Sequence, residues 1–186
     1  RILAAKLEAD HKKKPEGFRR FLPSKPPQPM PEQGFLIEAG RINITADGVM
    51  ADDPLNMIRL FTIARREQKD IHPAALTALT RNLRALNESV RETPDARELI
   101  LDAILGCKDP GPVLRRMNEA GVLGRAIPEF GAIVAQTQFN MYHHYTVDEH
   151  TLRAVEAIAD LEHGRGNTAP LATELFGQIE NRRALY

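Results

Sequence analysis

Aromatic residues are scarce in this sequence: no tryptophan, three tyrosines and seven phenylalanines in 186 residues. A core with so few rings must rest on Leu, Ile, Val and Ala. A single cysteine, Cys107, excludes an internal disulfide framework and a cysteine-rich zinc site, and it fits a reducing, cytoplasmic setting. No sign of charge dominates. The 25 basic residues balance 25 acidic ones, so the chain has no general attraction for nucleic acid or an anionic membrane. No apolar run approaches the roughly 20 residues needed to span a bilayer, and Arg-Ile-Leu-Ala-Ala-Lys-Leu-Glu at the start lacks a signal-peptide core. Internal repeats are missing, as is a glycine-rich phosphate loop between a strand and a helix. The chain neither begins with Met nor tapers before Tyr186, which points to a piece of a longer protein.

What is present reads mainly as helix. Residues 1–13 form a short candidate helix with Ile2, Leu3 and Leu7 on one side. Six prolines from Pro15 to Pro31 then predict a linker or extended wrap with a basic front edge. Gly40 separates two β-prone runs, with Ile42 and Ile44 at period two, so a β-hairpin is expected there, followed by a turn at Asp47-Gly48. Asp52-Asp53-Pro54 starts a helix to about Gln68 that buries Leu55, Ile58 and Phe61. His72-Pro73 starts another, with His72 as its cap and a stripe of Leu76, Leu79, Leu83, Leu86 and Val90. Thr93-Pro94 opens a third, ending near Gly106. A fourth runs from Val113 to Ala120 and stops at Gly121; its Arg115 and Arg116 read as exposed. The expected fold is a multi-helical bundle with one small β-hairpin in the N-terminal third.

Three of the six histidines, His143, His144 and His150, fall between Gln138 and Ala154. Thr146-Val-Asp-Glu149 fits a capping box, with Glu149 reaching back to the cap. The helix it opens should run to about Glu162. Helical spacing puts His150 with Ala154, Ile158 and Leu161, and so predicts an inward imidazole. A neutral imidazole of that kind can ligate a transition metal or sit hydrogen-bonded in a core, and spacing leaves both readings open. The chain has neither a His-x-x-x-His pair nor paired cysteines to complete a zinc site. His143 and His144, in the preceding loop, are candidates for reaching a substrate or ordinary polar loop residues.

The string Gln138-Phe-Asn-Met-Tyr-His-His-Tyr-Thr-Val-Asp-Glu-His-Thr-Leu-Arg-Ala resembles the opening of the HD hydrolase domain in bifunctional uridylyltransferase/uridylyl-removing enzymes. The resemblance continues upstream through Asp53-Pro-Leu-Asn-Met-Ile-Arg-Leu-Phe, Arg115-Arg-Met-Asn-Glu-Ala-Gly-Val-Leu-Gly-Arg and Ile127-Pro-Glu-Phe-Gly, and downstream through Pro170-Leu-Ala-Thr-Glu-Leu-Phe. It covers residues 34–186 and divides the chain into an N-terminal helix and linker (1–33), a helical connector with the hairpin (34–135) and the start of an HD domain (136–186). Such enzymes uridylylate the PII nitrogen-regulatory protein from UTP, remove UMP by metal-dependent hydrolysis with Mg²⁺ or Mn²⁺, and respond to glutamine. The resemblance implies that His150 is a catalytic metal ligand, with His143 and His144 close to substrate. The family's His-Asp doublet and later aspartate do not occur here, nor does the Asp-x-Asp of the transferase domain. One histidine cannot hold such an ion, so the chain alone is expected to bind metal weakly and to be inactive. The alternative is a non-catalytic connector that couples the domains and contacts PII. RNA binding, a role of helical domains in nucleotidyltransferase relatives, is disfavoured by the zero net charge.

Overall fold

The structure is a computed structural model and describes residues 26–134, 145–165 and 169–185. The expected helix over 1–13 and most of the proline-rich stretch lie outside these residues. The architecture is mainly helical, with a small antiparallel sheet at its N-terminal side.

The expected hairpin forms from β2 (Phe35–Glu38) and β3 (Arg41–Ile44). Its two-residue loop, Ala39-Gly40, has positive φ at both positions, +49° and +77°, the turn whose twist suits a hairpin. Phe35 faces Ile44 and Ile37 faces Ile42, which puts these four apolar side chains on one face, against the helices. A third strand, β1 (Gln28–Pro29), pairs with β2 at the sheet edge, the position where a proline costs no ladder bond. The end of the proline-rich stretch is thus an extended wrap. Ile42 also exchanges backbone hydrogen bonds with the segment after the central helix: Ile42 N to Asp70 O and His72 N to Ile42 O, each 2.8 Å.

A short α1 (Val49–Asp52) precedes the central helix α2 (Asn56–Arg66). The Asp53 carboxylate accepts from Leu55 N at 3.0 Å, and a tight turn through Pro54 feeds α2. Leu55, Ile58 and Phe61 are buried as expected, but burial runs nearly all round α2, from Asn56 through Ala64. A helix buried over most of its circumference is the axis of the core, with β3, α1, α5 and α6 packed about it.

His72 caps α3 (Pro73–Asn82) by accepting from Ala74 N through Nδ1 at 3.2 Å. The leucine stripe predicted to continue to Val90 is broken. A 3-10 turn (Leu83–Ala85) follows α3, and Asn87 starts a separate α4 (Glu88–Arg91) by accepting from Val90 N at 3.2 Å. Leu79 and Leu86 are still fully buried, so the apolar spacing was real while the helix was not continuous. An asparagine that serves as a cap competes with helix continuation.

Thr93 caps α5 (Pro94–Leu105), accepting from Ala96 N at 3.2 Å. Helix α6 (Gly111–Glu119) ends at Gly121, whose φ of +78° suits glycine, and the short α7 (Val122–Ala126) and α8 (Pro128–Ile133) follow. Helix α9 (Val147–Glu162) packs on α6 and α8, and α10 (Pro170–Phe176) packs on α9. A 3-10 turn (Arg182–Leu185) closes the described part. Among the described residues, no helix is long and apolar enough to cross a membrane.

Candidate functional site

Helix α9 begins at Thr146 and reaches Glu162, the expected end. Its phase differs from the expected one. Leu152 and Ala159 are buried, with Val155 packed beside them, whereas His150 is exposed, along with Arg153, Ala154 and Ala157. At about 100° per residue, His150 stands roughly 200° from Leu152, on the opposite side of the helix. Two apolar stripes were available in this segment, and tertiary packing chose Leu152–Val155–Ala159. The inward imidazole is therefore corrected to an outward one.

The capping box is also replaced. The Thr146 side chain does not cap the helix, although His150 N donates to Thr146 O at 2.9 Å. Glu149 does not reach back; its carboxylate is taken by Arg115 of α6. Arg115 lies between two acids one heptad apart on α9. Its Nε and Nη2 donate to Glu149 at 2.9–3.2 Å, and Nη1 and Nη2 donate to Glu156 at 2.6 and 2.7 Å. Hydrogen bonds to Glu156 first, then Glu149, raise the Arg115 pKa and keep the guanidinium charged. The same contact with Arg115 holds Glu149 below the ordinary carboxylate range. Arg115, read from the sequence as exposed, is instead a half-buried cation joining two helices. Its neighbour Arg116 reaches the other way and pairs with Asp70 at 2.8 Å.

A second anchor lies one residue earlier. Asp148 is buried, and Asn118 of α6 donates to its Oδ2 at 2.9 Å. Burial by itself would push the Asp148 carboxyl up, but hydrogen bonds from Thr146, Asn118 and backbone amides hold it down. Both acids sit in the first turn of α9, where the helix dipole favours negative charge. On the outer side, Arg153 donates to Glu149 at 3.1 Å and stacks over the Tyr145 ring at 3.9 Å. His150 thus projects outward from a turn whose flanking residues, Asp148 and Glu149, are both fastened to α6.

Room for this fastening depends on Gly111. A Cβ there would lie 1.6 Å from Glu156 Oε1 and 2.8 Å from Arg115 Nη1. Nothing in the local sequence links Arg115 to residues 34 and 41 positions away. The available signal was the seven-residue spacing of Glu149 and Glu156 beside the Leu152–Ala159 stripe, which puts two acids on the edge of a packing face.

His143 and His144 lie outside the described residues. Among the described residues, no three His, Cys, Asp or Glu side chains come together as a metal-holding group. His150 is a single donor, so the described residues do not by themselves fit a divalent ion.

Residues 35–126 match the family described as "Uridylyltransferase GlnD third domain". The whole chain is 49% identical to a bifunctional uridylyltransferase/uridylyl-removing enzyme of Caulobacter vibrioides, and 46% identical to one of Phenylobacterium zucineum. It spans 20% of the length of each of these relatives. No solved structure matches it.

Proposed function

We propose, for a chain that belongs to the family of bifunctional uridylyltransferase/uridylyl-removing enzymes, that it is their helical connector together with the first helix of their hydrolase domain. The two parts meet along α6 and α9. The observation that carries this reading is the outward His150 at the start of α9, on a helix held to the connector through both residues before it. His150 would be one ligand of a divalent Mg²⁺ or Mn²⁺ ion, completed by groups outside the described residues, and such an ion would supply polarisation of phosphoryl oxygens and activation of water. The parent enzyme transfers UMP from UTP to a tyrosine of the PII signalling protein, removes it hydrolytically and answers to glutamine. This chain alone, with one ligand, does not turn over.

The test is His150→Ala in the full-length enzyme. UMP release from uridylylated PII should be lost while UMP transfer continues; unchanged release overturns the reading. Release of UMP by the purified 186-residue chain with Mg²⁺ or Mn²⁺ would overturn its inactivity. A contact between PII and the connector is a second reading, favoured by a helical body in which, among the described residues, no three His, Cys, Asp or Glu side chains come together to hold a metal. Direct titration of PII onto the chain tests it, and absence of binding removes that contact.

A further inference from the structure

We propose that Arg115 is a positioning residue for uridylyl removal, acting from the connector on the helix that carries His150. This rests on the reading of His150 given above and extends it to a residue outside the hydrolase segment. Arg115 donates to both Glu149 and Glu156, gripping α9 beside His150 and again nearly two turns further on. Two attachment points fix the rotation of a helix about its own axis, which one point does not. Rotation is the variable that matters here, because His150 lies on the face opposite the packed one. Asn118 holds Asp148 from the same helix, so both acids in the first turn of α9 are bonded to α6. The guanidinium suits this role because its donors form a planar fork, which an ammonium lacks.

Buried apolar contact does not do the job alone. Leu152 and Ala159 are the fully buried apolar residues of α9, and such a narrow stripe tolerates rotation that a bidentate ion pair resists. Gly111 is part of the device, since the Glu156 carboxylate occupies the space a side chain would take. Arg115 gives its donors to Glu149 and Glu156 and acts through α9, as a positioning rather than a catalytic residue.

The experiment compares Arg115→Gln, Arg115→Lys and His150→Ala in the full-length enzyme, measuring UMP removal, UMP transfer and amide exchange along α9 and α2. Arg115→Gln should lower kcat for removal at least tenfold, leave transfer within twofold and speed exchange in 149–153 while α2 stays protected. Arg115→Lys, which keeps the charge without the fork, should recover part of the loss. Wild-type removal by Arg115→Gln beside a dead His150→Ala overturns the positioning role and leaves the His150 reading standing. Active His150→Ala overturns the His150 reading and, with it, this one. If Arg115→Gln does not fold, Gly111→Ala decides, because it displaces Glu156 without changing any charge. A selective loss of removal supports the proposal, and equal effects on both activities, or none, overturn it.

Discussion

The body from β1 to α8 and the pair α9–α10 are held together by different physics. In the body, α2 is enclosed by the sheet, α5 and α6, and side chains such as Met57, Ile58 and Leu60 have no exposure at all. In the α9–α10 pair, full burial among the described residues is confined to Leu152, Ala159, Phe176 and Asp148. Large apolar side chains remain exposed there instead, with Leu171 at 67% and Leu175 at 51%. Beside the contact of Leu152 and Val155 with the core, the attachment to the body is made by hydrogen bonds from Arg115 and Asn118. Hydrophobic burial scales with area and is indifferent to direction, whereas hydrogen-bonded ion pairs specify geometry and contribute little net stability. One region therefore supplies stability and the other supplies orientation.

The most disruptive test of this contrast is Leu60→Ala. Removing a fully buried side chain from the central helix should cost about 2–5 kcal/mol, read by chemical denaturation of the chain. A loss no larger than that of a surface substitution would show that α2 is not the structural axis.

Arg115→Gln should cost less, about 1–2 kcal/mol, since the pair is about a third exposed and charge-assisted bonds are discounted by solvent. Its effect should be local, with amide protection lost in α9 and kept in α2. Uniform loss would mean that the two regions unfold as one.

Acid should act on the same joint without any mutation. Glu149 has a folded pKa lowered from its ordinary 4.5 and Asp148 one lowered from 3.8. A carboxyl depressed in the folded state stabilises fully above its unfolded pKa and loses that contribution as pH falls through the folded one. Protection factors in α9 should thus be flat from neutral pH to about pH 5 and fall below about 4.5, ahead of those in α2. The groups facing Glu149 are Arg115 and Arg153. A decline centred near neutral pH would assign the joint to another group.

Thr93→Ala removes the side-chain cap of α5 and should cost about 1 kcal/mol, seen as a lower Tm. His150→Ala should change stability least, within about 0.5 kcal/mol, because the ring is exposed. A larger drop would return His150 to a structural role.

How much could be read in advance follows the same division. The hairpin needed only Gly40 and the Ile42–Ile44 alternation, and the starts of α3 and α5 needed only His72-Pro73 and Thr93-Pro94. Caps and tight turns are contacts between near neighbours in sequence, so their chemistry is local. The break between α3 and α4 was harder to see, because Asn87 can cap a helix or sit within one, and the Leu79–Leu86 stripe continues across it. The region around His150 was recognisable as a motif, while its orientation was not. A helix with Ala154, Ile158 and Leu161 on one stripe and Leu152, Val155 and Ala159 on another carries two plausible inward faces. The choice between them depends on what packs against the helix.

By itself, then, the sequence determined the starts of the helices after Asp53, His72 and Thr93, the extent of the helix from Thr146 to Glu162, the hairpin and the family resemblance around His150. Each rests on residue type and spacing over a few positions. Tertiary structure alone decided that α2 is buried over most of its circumference, that α9 turns His150 outward, and that Arg115 joins α6 to α9. Those outcomes depend on contacts between residues 30 or more positions apart, where packing selects one of several faces that the local pattern permits.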